Sequence, residues 1–534
     1  MSSEASDTWR DLPHKDQLAV LALCRAIDFF QMVSFQTICY YQLKSFNPSA
    51  TEQILSWQTA VALASFTASQ ACTAIPWGYV ADAKWGGRKN VLLIGLIGTS
   101  LSCLGVAFST SFASVVIFRA VGGAMNGTVG VVRTMMSEVI RHKRHQSRAF
   151  VLLPASFSVA ALIGPIFAGW LSDPVMIYPA VFGRFQWLRR YSHSLPSLLS
   201  AILLILASLA VLLTLEETLE NYDLWLDSGF LTRSWKRLIQ LVRVHNSQGY
   251  SPLPSEEHGE YDRPVCNIRR LGEKGSSPLS YPGPKIPFRR IWTYNVILTM
   301  ISLAFFEFHL GAFGSAWPIL LSSTRESSAA VDDLNQKLKG GLGLSPRSLG
   351  LTMAFAGLAG LLLQFLFYPV VHKRWGTLQC YRRFSLLFPV VYVTSPFLVV
   401  MVGSSSRVTE AFTWVFILIL LFIHSTSRIF CVPASIILLN NCSPHPSVLG
   451  MVHGIGQATA AGFRTLGPVL TGYVHGVAIA NKAIGLSWWM VSGTALLSWL
   501  VSLVIREGSG HEIVLLGEDS LYEGEMKASG SDQI

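Results

Sequence analysis

The sequence predicts an all-α integral membrane protein with twelve transmembrane helices in two pseudo-symmetric six-helix bundles. The 534-residue chain is 51% hydrophobic and only 13% charged, with a mean hydropathy of +0.43. This composition excludes a soluble multidomain enzyme. Apolar windows of at least about 18 residues, the length that crosses a bilayer, recur along most of the chain. A polar segment near the middle divides these windows six and six.

The apolar windows define the predicted spans in chain order. A polar tail, 1–17, precedes the first window. Span 1 is full-length and carries Arg25 and Asp28, so we expect it to insert without being cleaved. The twelve predicted spans are 18–40, 55–80, 90–110, 113–136, 149–171, 195–215, 291–321, 347–371, 384–403, 411–435, 448–475 and 484–505.

Basic loops and a polar joint set the predicted topology. The loops after spans 2, 4 and 8 are rich in Lys and Arg, which predicts that these loops and both termini face the cytoplasm. The net charge of +10 is explained by these basic loops and does not indicate nucleic-acid binding. Segment 217–289 is rich in Gly, Ser, Pro and charge and is predicted to be a cytoplasmic linker, largely disordered. It joins bundles at 18–216 and 290–505, and 506–534 forms a cytoplasmic tail.

Spans 5 and 11 share a pattern of helix breakers. The stretches "IGPIFAGWL" at 163–171 and "LGPVLTGYV" at 466–474 both follow Gly-Pro-x-x-x-Gly-aromatic. Proline and glycine weaken a helix, so matched breakers in the fifth helix of each half indicate a duplicated transporter architecture. We expect bending or close helix packing at Gly164, Pro165, Gly169, Gly467, Pro468 and Gly472.

Ionisable residues inside the first bundle predict a functional site, because a charge in the membrane is costly without a partner or a cavity. Arg25 and Asp28 lie three residues apart on one face of span 1. In span 4, Arg119, Gly123 and Gly127 recur every four residues, and the glycines favour close helix packing. Asp28 is the anion expected for Arg119. We expect Asp28 to carry a proton and Arg119 to tune the proton affinity of Asp28. The alternative is a static ion pair of Asp28 with Arg25 or with Arg119.

Further polar residues inside the spans are candidates for a central cavity. Glu307 and His309 in span 7 are nearly opposite in helical phase, so we expect Glu307 to face the cavity and His309 a helix contact. Arg133 and Glu138, at the end of span 4, are expected to pair locally. Trp317 is a cavity candidate or an interface anchor. The complete candidate set is Arg25, Asn126, Glu307, Trp317, His453, Gln457 and Arg464.

The loop after span 2 reads "GYVADAKWGGRKN" and holds Gly78, Asp82, Gly87, Arg88 and Lys89. Together with the span 4 arginine, it resembles the major facilitator superfamily, whose loop follows Gly-x-x-x-Asp-Arg-x-Gly-Arg-Lys. This chain has two extra residues before Gly87 and an alanine where the family has its first arginine. In the family the loop is a conformational latch and the fourth-helix arginine is associated with proton coupling. The resemblance therefore implies that this loop gates the protein.

Longer stretches narrow the resemblance. "LCRAID", "RAVGGAMNGTVGVVRTMMSEV" and "HGIGQATAAGFRTLGP" are similar to drug:proton antiporters of the fungal and plant branch that includes zinc-induced-facilitator-like and tetracycline-exporter-like proteins. The resemblance implies proton-coupled efflux of a drug, toxin or secondary metabolite by alternating access. We expect a monomer in the plasma membrane, with the vacuolar membrane as the alternative. Its partners are the substrate, protons and the lipid bilayer.

Two other functions are compatible with the sequence. A nutrient or metal-chelate symporter or facilitator would share the fold, and a transporter-like sensor would signal through the 217–289 linker. No Walker loop, HExxH, GxSxG or clustered Cys/His spacing is present, so we expect no enzymatic activity, no cofactor and no metal site.

Overall fold

The computed structural model describes residues 14–83, 85–140, 143–219, 288–324, 340–401, 407–445, 448–481, 483 and 485–508. These residues form an all-helical fold, which confirms the predicted fold class. Most of the 217–289 linker and of the 506–534 tail lies outside the described residues, so the expectations for them stay predictions.

Long helices follow the predicted order, with breaks in spans 4, 8 and 9. The first bundle comprises Lys15–Phe46, Glu52–Asp82, Arg88–Ala107, Phe112–Met125 with Thr128–Val139, Lys143–Leu171 and Ser194–Thr214. The second begins with Tyr294–Ser322 and continues through Pro346–Leu362, Leu363–Phe367 and Tyr368–Ser385. Spans 8 and 9 meet at Gly376, whose φ of 73° interrupts the helix. The remaining helices are Leu387–Thr394, Ser395–Phe397, Leu398–Met401, Arg407–Asn441, Leu449–Ala480 and Gly485–Val504.

Hydropathy fits a count of twelve spans. Nine helical segments of the described residues are long and apolar enough to cross a membrane, and one of them, Pro346–Met401, has 56 residues and contains both spans 8 and 9. Spans 2 and 11 have 31 and 32 residues but are less apolar. These two helices pack on each other between the bundles, where Ser, Thr, Gly and Gln face protein instead of lipid.

Close contacts between the two bundles lie toward one end of the helices. We define the far side as the end where the Tyr41 hydroxyl donates to the carbonyl of Leu344, at 2.5 Å. The terminal side is the opposite end. There Gln17 donates to the carbonyl of Thr214, at 2.9 Å, within the first bundle. The two bundles are therefore joined at the far side.

Glycines permit this inter-bundle contact. A Cβ built on Gly350 of span 8 would lie 2.3 Å from the carbonyl oxygen of Pro165 in span 5. A Cβ built on Gly472 of span 11 would lie 2.3 Å from the Cβ of Ala60 in span 2. Because real Cβ atoms do not approach so closely, a side chain at either glycine would force the bundles apart.

The Gly-Pro repeats occupy matching places. Gly164 of span 5 packs against Val33 and Ser34 of span 1, and the Ser34 hydroxyl donates to the Gly164 carbonyl at 3.2 Å. Gly467 of span 11 packs in the same manner against Phe308 of span 7. Each repeat thus joins the fifth helix of its bundle to the first, which supports the pseudo-two-fold relation between the bundles.

Toward the terminal side the same helices separate. Gly78 lies five helical turns along span 2 from Ala60, and Gly454 lies five turns along span 11 from Gly472. Both glycines therefore lie on the contacting faces, about 27 Å nearer the terminal side. A Cβ built on either would meet no described atom within 4 Å beyond its own helix. The structure is therefore open toward the terminal side.

Candidate functional site: charged pairs between the bundles

Asp28 of span 1 joins most of the polar contacts in the first bundle. Its side chain is 1% exposed and forms an ion pair with Arg25. The carboxylate also accepts hydrogen bonds from Asn126 Nδ2 at 2.7 Å and from Thr128 Oγ1 at 3.0 Å. One cation and two neutral donors therefore compensate the buried charge of Asp28. An isolated carboxylate inside a membrane protein would lack this compensation.

A break in span 4 supplies those neutral donors. One helix ends at Met125 and the next begins at Thr128, because Asn126 has a non-helical ψ of 84°. The predicted span over 113–136 is therefore present, but as two helical segments and not as one helix. Asn126 Nδ2 also reaches Thr99 Oγ1 at 3.2 Å, while Gln70 donates to Asn126 Oδ1 at 3.2 Å. The break sets the positive N-terminal end of a half-helix beside Asp28, an arrangement that transporters use at binding sites.

Gly127 lies at this break and also permits close packing. A Cβ built there would lie 2.8 Å from the side chain of Trp77 in span 2. The Trp77 indole donates to the carbonyl of Ala124 at 2.7 Å, so span 2 supports the end of the first half-helix. The predicted close approach of a neighbouring helix is thus present, together with a change of backbone direction that the spacing did not predict.

Arg119 takes different partners from those expected. Its Nη1 donates to Gln31 Oε1 at 2.9 Å, and its guanidinium carbon lies 4.4 Å from the ring centroids of both Phe35 and Phe66. In the part of the chain that the structure describes, no direct ion pair joins Arg119 to Asp28, although the charges of the two side chains interact. The expected direct pairing is therefore absent, and the role of Asp28 toward Arg119 stays a prediction. Two aromatic faces and an amide oxygen stabilise the cation instead.

The close approach at Gly123 explains one of those aromatic contacts. A Cβ built on Gly123 would lie 2.1 Å from the carbonyl oxygen of Phe66. Glycine therefore lets span 2 approach span 4 closely enough for the Phe66 ring to cover Arg119. The predicted small-residue packing is correct, and it serves the arginine that shares the same helix.

The second bundle has its own charged pair. Arg464 of span 11 donates from Nε and Nη2 to Glu307 Oε2, at 2.8 and 2.7 Å. The Arg464 side chain is 52% exposed, whereas the Glu307 side chain is 10% exposed. His309 is buried with its Nδ1 3.0 Å from the Tyr392 hydroxyl. Glu307 and His309 therefore diverge as their helical phase predicts.

The other cavity candidates separate into two groups. Trp317 is buried, stacks on Phe313 at a centroid distance of 5.3 Å and meets Trp488 edge-on. The structure thus places Trp317 in the aromatic core of the second bundle and not in the cavity wall. His453 lies with Nε2 3.1 Å from Asn440 Oδ1, and Gln457 is exposed one turn further along span 11. These two stay near the opening.

Arg428 of span 10 was missed from the sequence. Its guanidinium carbon lies 3.9 Å from the ring centroid of Phe157 in span 5, across the boundary between the bundles. Its charge also interacts with those of Arg464 and Glu307. A signal was available, since an arginine in the middle of the apolar run "LLFIHSTSRIFCVPAS" is as unusual as Arg119 in span 4.

Arg133 also faces this region. Glu138, its expected partner, forms an ion pair with Arg88 instead, so the local pair predicted from the sequence is wrong. Arg133 is exposed, and its charge interacts with those of Arg25, Arg464 and Glu307.

The loop between spans 2 and 3 is tied to its own bundle. Gly87 precedes span 3 with a φ of 76°, a conformation that favours glycine. The Glu217 carboxylate accepts bonds from the backbone N–H groups of Arg88 at 3.2 Å and Lys89 at 2.9 Å. Glu217 therefore caps span 3, a role that its position after span 6 did not reveal.

Arg88 links this loop to span 4. It pairs with Asp82, at 3.3 Å, and with Glu138. The Asp82 side chain is 70% exposed, and Gly78 one turn earlier borders open space. The loop thus connects spans 2, 3 and 4 at the terminal opening, and its predicted part in gating stays a prediction.

These features define a class of protein: a multi-pass membrane transporter with charged pairs at the junction of two helical bundles. Among the described residues, no group of three or more His, Cys, Asp or Glu side chains could hold a metal ion, and none of the described cysteines forms a disulfide bond. The profile of the Major Facilitator Superfamily matches residues 21–330. The chain belongs to this family and is a transporter, not an enzyme.

Curated relatives cover most of the chain. It is 27% identical over 92% of its length to the Major facilitator superfamily multidrug transporter mfsB of Aspergillus fumigatus, of which 84% is covered. It is 23% identical to Protein ZINC INDUCED FACILITATOR-LIKE 1 of Arabidopsis thaliana, with 92% of this chain and 88% of the relative covered. Identity to the efflux pump azaK of Aspergillus niger is also 23%, with 89% and 85% covered. The predicted family branch is thereby confirmed.

A solved structure supports the fold. A D-xylose-proton symporter matches with a TM-score of 0.61 and 13% sequence identity, covering 93% of this chain and 99% of that one. At this identity the likeness concerns the arrangement of helices alone.

Proposed function

We propose that this transporter exports a small organic compound from the cytoplasm in exchange for protons, and that Asp28 carries the proton. The observation that supports this most is the position of Asp28, a buried carboxylate at the break of span 4 and in an ion pair with Arg25. A proton on Asp28 would remove that ion pair and release Arg25. Protonation is thereby linked to a contact that faces the junction of the bundles.

The charge of the loops predicts the orientation of the protein in the membrane. The terminal side carries the basic loops after spans 2, 4 and 8, so the positive-inside rule assigns it to the cytoplasm. The opening then faces the cytoplasm, and Asp28 with its ion pair intact represents the state that has released its proton and accepts substrate. The multidrug and efflux relatives agree with export as the direction of transport.

Proton release on substrate addition tests the proposal. Purified protein is reconstituted in liposomes containing a pH-sensitive dye, and ethidium, chloramphenicol and naphthalene-2-sulfonate are added in turn. We expect at least one compound to move protons with the wild type and none to do so with Asp28→Asn, because an amide cannot carry the proton.

Asp173→Asn is the matched control. Asp173 lies beyond span 5 at the far side with a φ of 51°, a conformation that asparagine also tolerates. This variant is expected to couple as the wild type does. Equal proton movement by wild type and Asp28→Asn, or none by the wild type with all three compounds, would contradict proton antiport.

A further inference from the structure

The charges between the bundles do not balance. Four arginines and two carboxylates interact there: Arg25, Arg133, Arg428, Arg464, Asp28 and Glu307. Arg25 pairs with Asp28, and Arg464 pairs with Glu307. Within the described residues, no ion pair joins Arg133 or Arg428 to a carboxylate. The region therefore holds two guanidinium groups more than its own anions neutralise.

An aromatic bridge connects these arginines across the two bundles. The Arg25 guanidinium lies 3.9 Å from the Phe29 centroid, and Arg428 lies 3.9 Å from the Phe157 centroid. The two rings meet edge to face, with their centroids 4.9 Å apart. Two cations from opposite bundles thus flank an apolar wall. Such an arrangement suits a ligand with a flat apolar body and an acidic group.

The excess charge faces open space. Arg133 is exposed, Arg428 is half-buried, and a Cβ built on Gly130, three residues before Arg133, would meet no described atom within 4 Å. A guanidinium at membrane depth is costly unless an anion or water compensates it. An entering organic anion would supply the missing charge, whereas an organic cation would add to the repulsion.

We propose that the compound carried is an aromatic or apolar organic anion, whose acidic group is compensated by the unpaired guanidinium charges of Arg428 and Arg133 and whose apolar part packs on Phe29 and Phe157. This assignment rests on the proposed function, because it names the substrate class of the same cavity. Binding from both bundles also explains how an anion would couple them: Arg133 belongs to the first bundle and Arg428 to the second.

Binding of matched probes tests the inference. Naphthalene-2-sulfonate and naphthalene-2-sulfonamide share one shape and differ in charge, and the sulfonate stays ionised at every assay pH. Affinity for the purified protein is measured by calorimetry in detergent at fixed pH, without any gradient. We expect the sulfonate to bind at least about tenfold more tightly than the sulfonamide, which corresponds to one charge-assisted contact.

Variants of Arg133 and Arg428 test whether these residues cause the preference for the sulfonate over the sulfonamide. Arg428→Gln and Arg133→Gln should each reduce the ratio of affinities toward one, and Arg428→Lys should retain most of it because the charge remains. Arg189→Gln is the control, since Arg189 is exposed in the far-side loop. Size-exclusion profiles and melting temperatures show which variants fold, and the lysine variant keeps the test decisive if a glutamine variant does not.

The outcomes separate this inference from proton antiport. Equal or tighter binding of the sulfonamide, no binding of the sulfonate, or a preference unchanged in both glutamine variants overturns the anion assignment. If ethidium drives protons and the sulfonate does not bind, proton antiport stands and the anion assignment fails. Arginine-dependent sulfonate binding without proton movement supports the anion assignment and contradicts antiport.

Discussion

At the scale of single residues, two arginines in neighbouring helices have different tasks. Arg25 pairs with Asp28, whereas Arg119 lies between two aromatic rings and donates to Gln31. Helical spacing places Asp28 and Arg119 inside the bundle, but it does not choose between an acid and an amide one turn apart on span 1. The Gln31 side chain accepts a hydrogen bond from Arg119, and the break in span 4 brings Asn126 within hydrogen-bond distance of Asp28. Arg119 of span 4 therefore contacts both span 1, through Gln31 and Phe35, and span 2, through Phe66.

Arg119→Lys tests that structural task. Lysine keeps the charge but loses the planar guanidinium that contacts both rings, and we expect the variant to unfold about 1–2 kcal/mol more easily. The measurement is the melting temperature in detergent. Arg189→Lys, a change at an exposed arginine, is the control and should melt as the wild type does. If the two variants melt alike, the aromatic contacts contribute nothing to stability.

At the scale of helices, glycines decide where the bundles touch. The Gly-Pro repeats were predictable as matched breakers, and the structure places them at matching contacts with spans 1 and 7. The break at Asn126 was not predictable from periodicity, because the apolar pattern of span 4 continues through it. Arg428 was missed because it stands alone in span 10, and its contact with Phe157 comes from a helix of the other bundle.

Gly350→Ala tests the contact between spans 5 and 8. The added methyl group would lie 2.3 Å from the Pro165 carbonyl, so we expect the far-side contact to loosen at a cost of about 1–3 kcal/mol. The variant should melt earlier and transport more slowly. Gly462→Ala, where the methyl group meets open space, should be neutral or slightly stabilising. Wild-type behaviour of Gly350→Ala would contradict tight packing there.

At the scale of the whole molecule, spans 2 and 11 form a contact at one end and an opening at the other. Ala60 and Gly472 touch, and Gly78 and Gly454 lie on the same faces five turns away. We expect Gly78 and Gly454 to meet when the terminal side closes. Gly78 belongs to the predicted gating loop and Gly454 to the stretch "HGIGQATAAGFRTLGP", but only the structure relates the two glycines to each other.

Spin labels at these two positions test the closing motion. Gly78→Cys and Gly454→Cys are labelled in a Cys72→Ser background, since Cys72 is exposed on span 2. We expect a second, shorter label-to-label distance when the protein turns over. A pair within the first bundle, Ile94→Cys and Ile202→Cys on spans 3 and 6, should keep one distance. A single unchanged distance between spans 2 and 11 in a turning-over protein would contradict closure by these helices.

The energy of one proton would be sufficient for the proposed export. A proton crossing a 100 mV potential supplies about 2.3 kcal/mol, which would support roughly a 50-fold concentration of an uncharged substrate; the outward movement of an anion would gain further energy from the same potential. Such coupling requires that the protein binds either the substrate or the proton on Asp28, but not both at once. It also predicts that the bare exchange of substrate for substrate needs no proton at all.

The most direct test of proton coupling compares gradient-driven accumulation with exchange in the same liposomes, using whichever probe moves protons with the wild type. Asp28→Asn should lose accumulation under a pH gradient and retain exchange of labelled for unlabelled probe, because the cavity is intact while the proton site is gone. The wild type should perform both. Accumulation that persists in Asp28→Asn, or wild-type accumulation without any gradient, would contradict the proposal that Asp28 couples export to protons.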